Sequence, residues 1–171
     1  MSPPWSKPLD VDRLAETQAG IDFAVPLAEL PRLRSRLASV EGNVTGHVHF
    51  AREGGVAVAE LTMNGTAKVA CQRCLEAMDV AVESRVRVGL IGAQAEVSRV
   101  PDDLEPMLAP EGRVSIAELV EEELLLALPI VPLHDAAGGC AVAASTPRIA
   151  QQSDEPATQR PFERLGELLK R

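Results

Sequence analysis

Apolar residues change their spacing three times along the chain, and each change predicts a different element. Residues 1–26 mix Pro, Asp and Ala, with a weak helical pattern at Val11, Leu14 and Ala15 and a strand-like alternation at Phe23 and Val25. They read as an amino-terminal arm packed on the domain. From Leu30 the spacing Leu30, Leu33, Leu37, Val40 is helical, Pro31 suits a first turn, and Gly42-Asn43 stops the run. This predicts an amino-terminal helix with Arg32, Arg34 and Arg36 on its exposed face.

Between Val44 and Leu90 the period falls to two: Val48 and Phe50, Val56 and Val58, Leu61 and Met63, then Val80, Val82, Val86, Val88 and Leu90. An antiparallel β-sheet over about 44–90 follows. Glu53-Gly54-Gly55 and Asn64-Gly65 offer the positive-φ residues of tight hairpins, and the phase of Leu61 and Met63 implies a bulge after Val58. Residues 92–113 carry Pro101, Pro106, Pro110 and the acidic Asp102, Asp103 and Glu105, the composition of a solvated surface loop.

Ser115 opens the clearest helix, predicted over about 115–128. Its hydroxyl can cap Glu118, Glu118 can reach back, and Val114 can staple onto Leu119. Ile116, Leu119, Val120, Leu124, Ala127 and Leu128 form one stripe that would lie on the sheet, with Glu121, Glu122 and Glu123 mainly outside it, and Pro129 ends the run. Residues 141–160 are Ala, Ser, Gln and Pro without period, a disordered linker by composition, followed by a terminal amphipathic segment at 161–171 with Phe162, Leu165, Leu168 and Leu169. The expected fold is therefore α+β: one domain over 27–140, with arm, linker and tail around it.

Composition narrows the function. Of 171 residues 46% are apolar, 25% charged and only 2% aromatic, with no tyrosine. A base-stacking platform needs aromatic rings, and a phosphate-neutralising surface needs excess Lys and Arg. The net charge of −8 disfavours both. The stretch from Met1 to Lys7 lacks the pattern of an export signal, and no apolar run reaches membrane-spanning length, so a cytoplasmic protein without membrane contact is expected.

Three cysteines, an odd number, make a disulfide framework improbable. Cys71-Gln-Arg-Cys74 falls between two strands, so it forms a turn and not the helix start that a redox-active pair uses to stabilise its thiolate. With His134 and Cys140, spaced by a glycine-bearing loop, the pair would complete a closed Cys3His zinc site of structural type. The alternatives are small buried free thiols with a surface histidine, or thiol redox chemistry. His47 and His49 would share one sheet face, as surface positions. No nucleophile elbow, phosphate-binding glycine loop or metalloprotease helix is present, so the chain is read as a non-enzyme.

Cys71 to Glu76, the run from Ile116 to Asp135, the later Cys140 and the terminal run from Pro161 to Lys170 together resemble the large ribosomal RNA subunit accumulation protein family, the YceD family. The matching motif positions are Cys71, Arg73, Cys74, Leu75, Pro129, Pro132, His134, Cys140, Pro161 and Phe162. Arg160 departs from the pattern, in which asparagine precedes the final Pro-Phe; Asn would cap a last helix and Arg cannot. The resemblance implies a ribosome biogenesis factor that supports the synthesis, processing or stability of large-subunit ribosomal RNA, with no catalytic residue to carry across. Its partners would be ribosome assembly or RNA-processing proteins, met through Arg73 and through Phe162, Leu165 and Leu169 on the tethered tail, unless that tail packs back on its own sheet. Two further readings stay open: a zinc or thiol module with no ribosomal role, and direct RNA binding through Arg32, Arg34, Arg36 and Arg73 with strong salt dependence.

Overall fold

Met1–Cys140 make up one compact unit, of which the computed structural model describes residues 4–135 and Cys140. The expected linker at 141–160 and the tail residues Phe162, Leu165 and Leu169 lie outside the described residues. In chain order the elements are β1 (Leu9–Asp10), α1 (Val11–Glu16), β2 (Gly20–Pro26), β3 (Leu37–Ser39), β4 (Asn43–Glu53), β5 (Val56–Ala70), β6 (Ala77–Ile91), β7 (Glu105–Leu108), β8 (Arg113–Val114) and α2 (Ile116–Ala127). Single 3-10 turns join several of them. The main sheet runs β2-β4-β5-β6-β7 with β3 also paired to β5, while β1 and β8 form a separate small pair.

The fold is α+β, as expected, but its sheet is mixed. Every pairing is antiparallel except β6 with β7, where Val88 to Ile91 face Glu105 to Leu108 in parallel. Residues 92–113, expected as a surface loop, thus also contain a strand, β7, which is a correction. A parallel neighbour needs a crossover, and residues 92–104 provide it. Pro106 hid the strand in the sequence, yet an edge strand tolerates a residue without an N–H.

The β4–β5 hairpin forms where the glycines predicted it: Gly54 and Gly55 take φ of 55° and 86°, and Glu53 pairs directly with Val56. Asn64-Gly65 is different. It lies inside the fifteen-residue β5, opposite Thr45 and Val44, and the register from Val44↔Gly65 to Glu53↔Val56 runs without a shift. Both the second hairpin and the bulge after Val58 are corrected. The changed phase has another cause: Val56, Ala57, Val58 and Ala59 are all buried, because both faces of the sheet are covered there. Val100 sits against Gly89, the partner of Val58, on the face opposite the core.

One glycine is set by close approach. A Cβ on Gly46 would stand 2.1 Å from the Thr62 carbonyl and 2.7 Å from the Phe23 ring, so Phe23 crosses the space that a side chain would fill.

The helix expected from Leu30 to Val40 does not form. Leu27–Glu29 and Arg34–Arg36 are 3-10 turns, and Leu37–Ser39 is β3. Leu30 and Leu33 are fully buried, so the apolar spacing reported burial and not helix. The segment is held from outside: the N–H groups of Arg32 and Leu33 donate to Glu121 Oε1 at 2.7 and 3.2 Å. Leu37 instead pairs with Val69.

α2 begins where the sequence placed it. The Ser115 hydroxyl accepts from the Glu118 N–H at 3.2 Å, and Glu118 accepts from the Ser115 N–H at 2.7 Å. Ile116, Leu119, Val120 and Leu124 join Phe50, Leu61, Met63, Val82 and Val88 in one core. Two positions differ from the expected stripe. Ala127 is exposed, and Glu121 is buried, which its two backbone donors make tolerable.

Candidate metal centre

β5 ends at Ala70 and β6 begins at Ala77, and the connection is a tight turn closed by its own backbone. Cys71 N–H donates to the Glu76 carbonyl and Leu75 N–H to the Cys71 carbonyl, both at 2.9 Å. Arg73 N–H points at Cys71 Sγ, 3.5 Å away. Leu75 takes a left-handed φ of 64°, a conformation that costs a residue with a Cβ roughly 1–2 kcal/mol.

The second half arrives from α2. Leu128 leaves the helix in an extended conformation, Pro129 prevents its continuation, and the strap runs past the turn so that Gln72 N–H donates to the Pro132 carbonyl at 2.9 Å. His134 follows two residues later. The ladder of β5 and β6 fixes one pair of candidate ligands, and the end of α2 delivers the other side.

The four donor atoms of Cys71, Cys74, His134 and Cys140 all lie within 4.8 Å of one another. Cys71 Sγ is 3.5 Å from Cys140 Sγ, Cys74 Sγ is 3.4 Å from His134 Nδ1, and Cys140 Sγ is 3.6 Å from the same nitrogen. Zinc bound tetrahedrally, with bonds of about 2.3 Å to sulfur and 2.0–2.1 Å to nitrogen, sets its ligands roughly 3.5–3.8 Å apart. These three separations lie close to that figure, and the donor set is one zinc prefers. All three cysteines are free thiols.

The electrostatics are those of a site that wants a cation. Burial opposes ionisation of Cys71, but the backbone groups of Cys74, His134 and Arg73, with the Cys140 thiol, outweigh it and hold its thiol down to about 5. Burial and the neighbouring sulfurs of Cys71 and Cys74 push Cys140 up to about 11. One thiolate thus suppresses the next, and a divalent ion placed among them would remove that conflict.

Of the residues singled out in the sequence, Cys71, Cys74, His134 and Cys140 come together. Arg73 stands exposed beside them. His47 lies elsewhere on the sheet, with Nδ1 2.7 Å from Asp22 Oδ1. Arg32 pairs with Glu122 at 2.5 Å, and Arg34 donates to the Ala28 carbonyl at 2.7 Å. Sequence reasoning did not single out Glu121, whose partners are 88 and 89 residues away and leave no local signal. Among the described residues no helix is long and apolar enough to cross a membrane.

Comparison with known proteins places these residues in context. A family model described as "Large ribosomal RNA subunit accumulation protein YceD" matches residues 59–169, a span that holds all four candidate ligands. The large ribosomal RNA subunit accumulation protein YceD of Haemophilus influenzae is 28% identical over 134 residues, covering 74% of this chain and 75% of its own length. No solved structure matches.

Proposed function

The chain belongs to the YceD family of large ribosomal RNA subunit accumulation proteins, and on that premise we propose that it supports the synthesis, processing or stability of large-subunit ribosomal RNA as a cytoplasmic, non-enzymatic factor that acts through protein contacts. The observation that carries the structural side of this reading is the convergence of four soft and borderline ligands within 4.8 Å at the junction of the sheet and α2. Cys71, Cys74, His134 and Cys140 would hold one zinc ion. Four protein ligands leave no open position for water, so the ion would supply structure and not reaction. It would bind the turn between β5 and β6 to the strap after α2, and its binding free energy would add to folding.

Protein contacts are favoured over direct RNA binding by the state of the cations. Arg32, Arg52, Lys68, Arg85, Arg87 and Arg99 are each paired with carboxylates, in a chain of net charge −8. The excess of Lys and Arg that phosphate neutralisation needs is missing.

The test is large-subunit ribosomal RNA in cells where this chain is the sole source of the activity. Depletion should lower the large-subunit species relative to the small-subunit ones. Cys71→Ser should lower them as well, if the clasp positions the contact surface. A thiol or zinc module without a ribosomal role would leave the ratio unchanged in both.

A further inference from the structure

The clasp is surrounded by apolar side chains that the fold does not use. Leu75 is 77% exposed, Ile130 91%, Val131 58% and Leu133 41%. The strap carrying the last three is bonded to the turn carrying the first through Gln72 and Pro132, and Leu75 and Leu133 directly adjoin the ligands Cys74 and His134. Exposed apolar side chains gathered on two segments that are bonded to each other make this a surface where a contact is expected.

Leu75 sharpens the point. Its φ of 64° is one that glycine adopts without strain, and its side chain meets solvent. Glycine would suit both the backbone and the exposure better. Among the described residues the side chain therefore gains nothing, and its use lies beyond them.

Beside the patch runs a groove of about 280 Å³ lined by Arg36, Leu37, Val69, Leu128, Ile130 and Pro132 among others, with one cation and no carboxylate in its lining. Arg36 and Arg73 are both exposed, and neither guanidinium has a partner among the described residues. Exposed aliphatic side chains next to a groove that holds one cation, Arg36, and no carboxylate, with Arg73 exposed on the adjoining turn, fit an occupant with the reverse pattern. Aliphatic side chains offer no stacking surface to bases, which disfavours RNA as that occupant.

We infer that Leu75, Ile130, Val131 and Leu133, with Arg36 and Arg73 at the rim, dock a segment of a partner protein that presents aliphatic side chains next to Asp or Glu. The inference rests on the reading that the protein acts through protein contacts, and it gives that reading a place on the molecule. The clasp then has a purpose beyond stability: it holds the two halves of the docking surface, turn and strap, in one geometry.

The experiment places the photoreactive residue p-benzoylphenylalanine at position 75 of the full chain in cells, with Ser98 and Leu126 as comparison positions, and maps the cross-linked stretch. A discrete adduct with another protein is expected from position 75, its mapped stretch carrying Leu, Ile, Val or Met beside Asp or Glu. Arg36→Glu with Arg73→Glu should reduce it roughly tenfold, the scale of two rim charges reversed, and the two Lys replacements should restore it. Leu75→Gly should lower large-subunit ribosomal RNA while leaving the melting temperature unchanged or raised, which a purely structural role for Leu75 would not produce. Adducts between two copies of the chain, no adduct above that at Ser98, or a mapped stretch without carboxylates would overturn the inference. A protein adduct from Leu126 but not from 75 would overturn this surface and leave the protein-contact reading standing; adducts with RNA alone would overturn both.

Discussion

Around Phe50 the apolar side chains face one another, and around Cys71 they face water. Phe50, Leu61, Leu124 and Val120 are fully or almost fully buried, held by the long ladders of β4, β5 and β6 and by α2. At the clasp the only fully buried side chain of the turn is Cys71 itself, while Leu75 and Ile130 stand in solvent. The first region derives its order from area removed from water, a term that needs no particular atom. The second derives it from a few donors at fixed distances. A protein so poor in aromatic residues can extend its core only so far, and a metal held by Cys71, Cys74, His134 and Cys140 would order a surface that burial cannot.

That contrast can be broken at the core first. Phe50→Ala should destabilise the whole domain by about 3–5 kcal/mol, the range for a buried aromatic replaced by a methyl group, and chemical denaturation would read it as a loss for the entire cooperative unit. A loss confined to one edge of the sheet would show that the core is not a single body. Next is Glu121, the buried carboxylate that joins α2 to the segment after β2. Glu121→Ala leaves the N–H groups of Arg32 and Leu33 without their acceptor and should cost roughly 1–3 kcal/mol. Glu121→Gln keeps one acceptor oxygen and should recover part of that in the same denaturation measurement.

A smaller effect is expected at the start of α2. Ser115→Ala removes the cap and should cost about 1 kcal/mol, measurable as a shifted denaturation midpoint with an unchanged slope. The smallest belongs to the solvated face of the sheet. Hydrogen bonding from Arg85, with its charge, holds the Glu60 carboxyl below its ordinary value. A carboxyl whose folded value is depressed stabilises above its unfolded value and loses that contribution as pH falls through the folded one. Stability should therefore fall more between neutral pH and the acidic side of the carboxylate range in the native chain than in Glu60→Gln, and only slightly more, since exposed pairs contribute little.

The sequence carried some of these features and hid others for physical reasons. Ser115 and Glu118 are three residues apart, so the capping box was legible from local chemistry alone, and Gly54-Gly55 declared its hairpin in the same way. Cys71 and Cys74 were legible because candidate metal ligands come as recognisable residue types at short spacing, and His134 and Cys140 because they are six positions apart in the sequence. What failed was apolar spacing without local chemistry. Leu30, Leu33 and Leu37 are apolar at helical intervals, but what they report is burial. Their backbone is claimed by Glu121 on α2 and by Val69 on β5, contacts that no local window contains. Asn64-Gly65 looked like a turn because its residue types permit one, while the fourteen pairings between β5 and β6 from Ala57 to Ala70 outweigh that permission. The exposed strain of Leu75 had no sequence signal, because φ is a property of the fold.

The measurement that tests the account most directly is elemental analysis of the full chain purified without chelator, next to Cys71→Ser and Cys140→Ser. About one zinc per chain, lost in both variants, is what a closed Cys3His site requires. A chain without zinc, or with zinc retained in both variants, would contradict the clasp and return Cys71, Cys74 and Cys140 to free thiols.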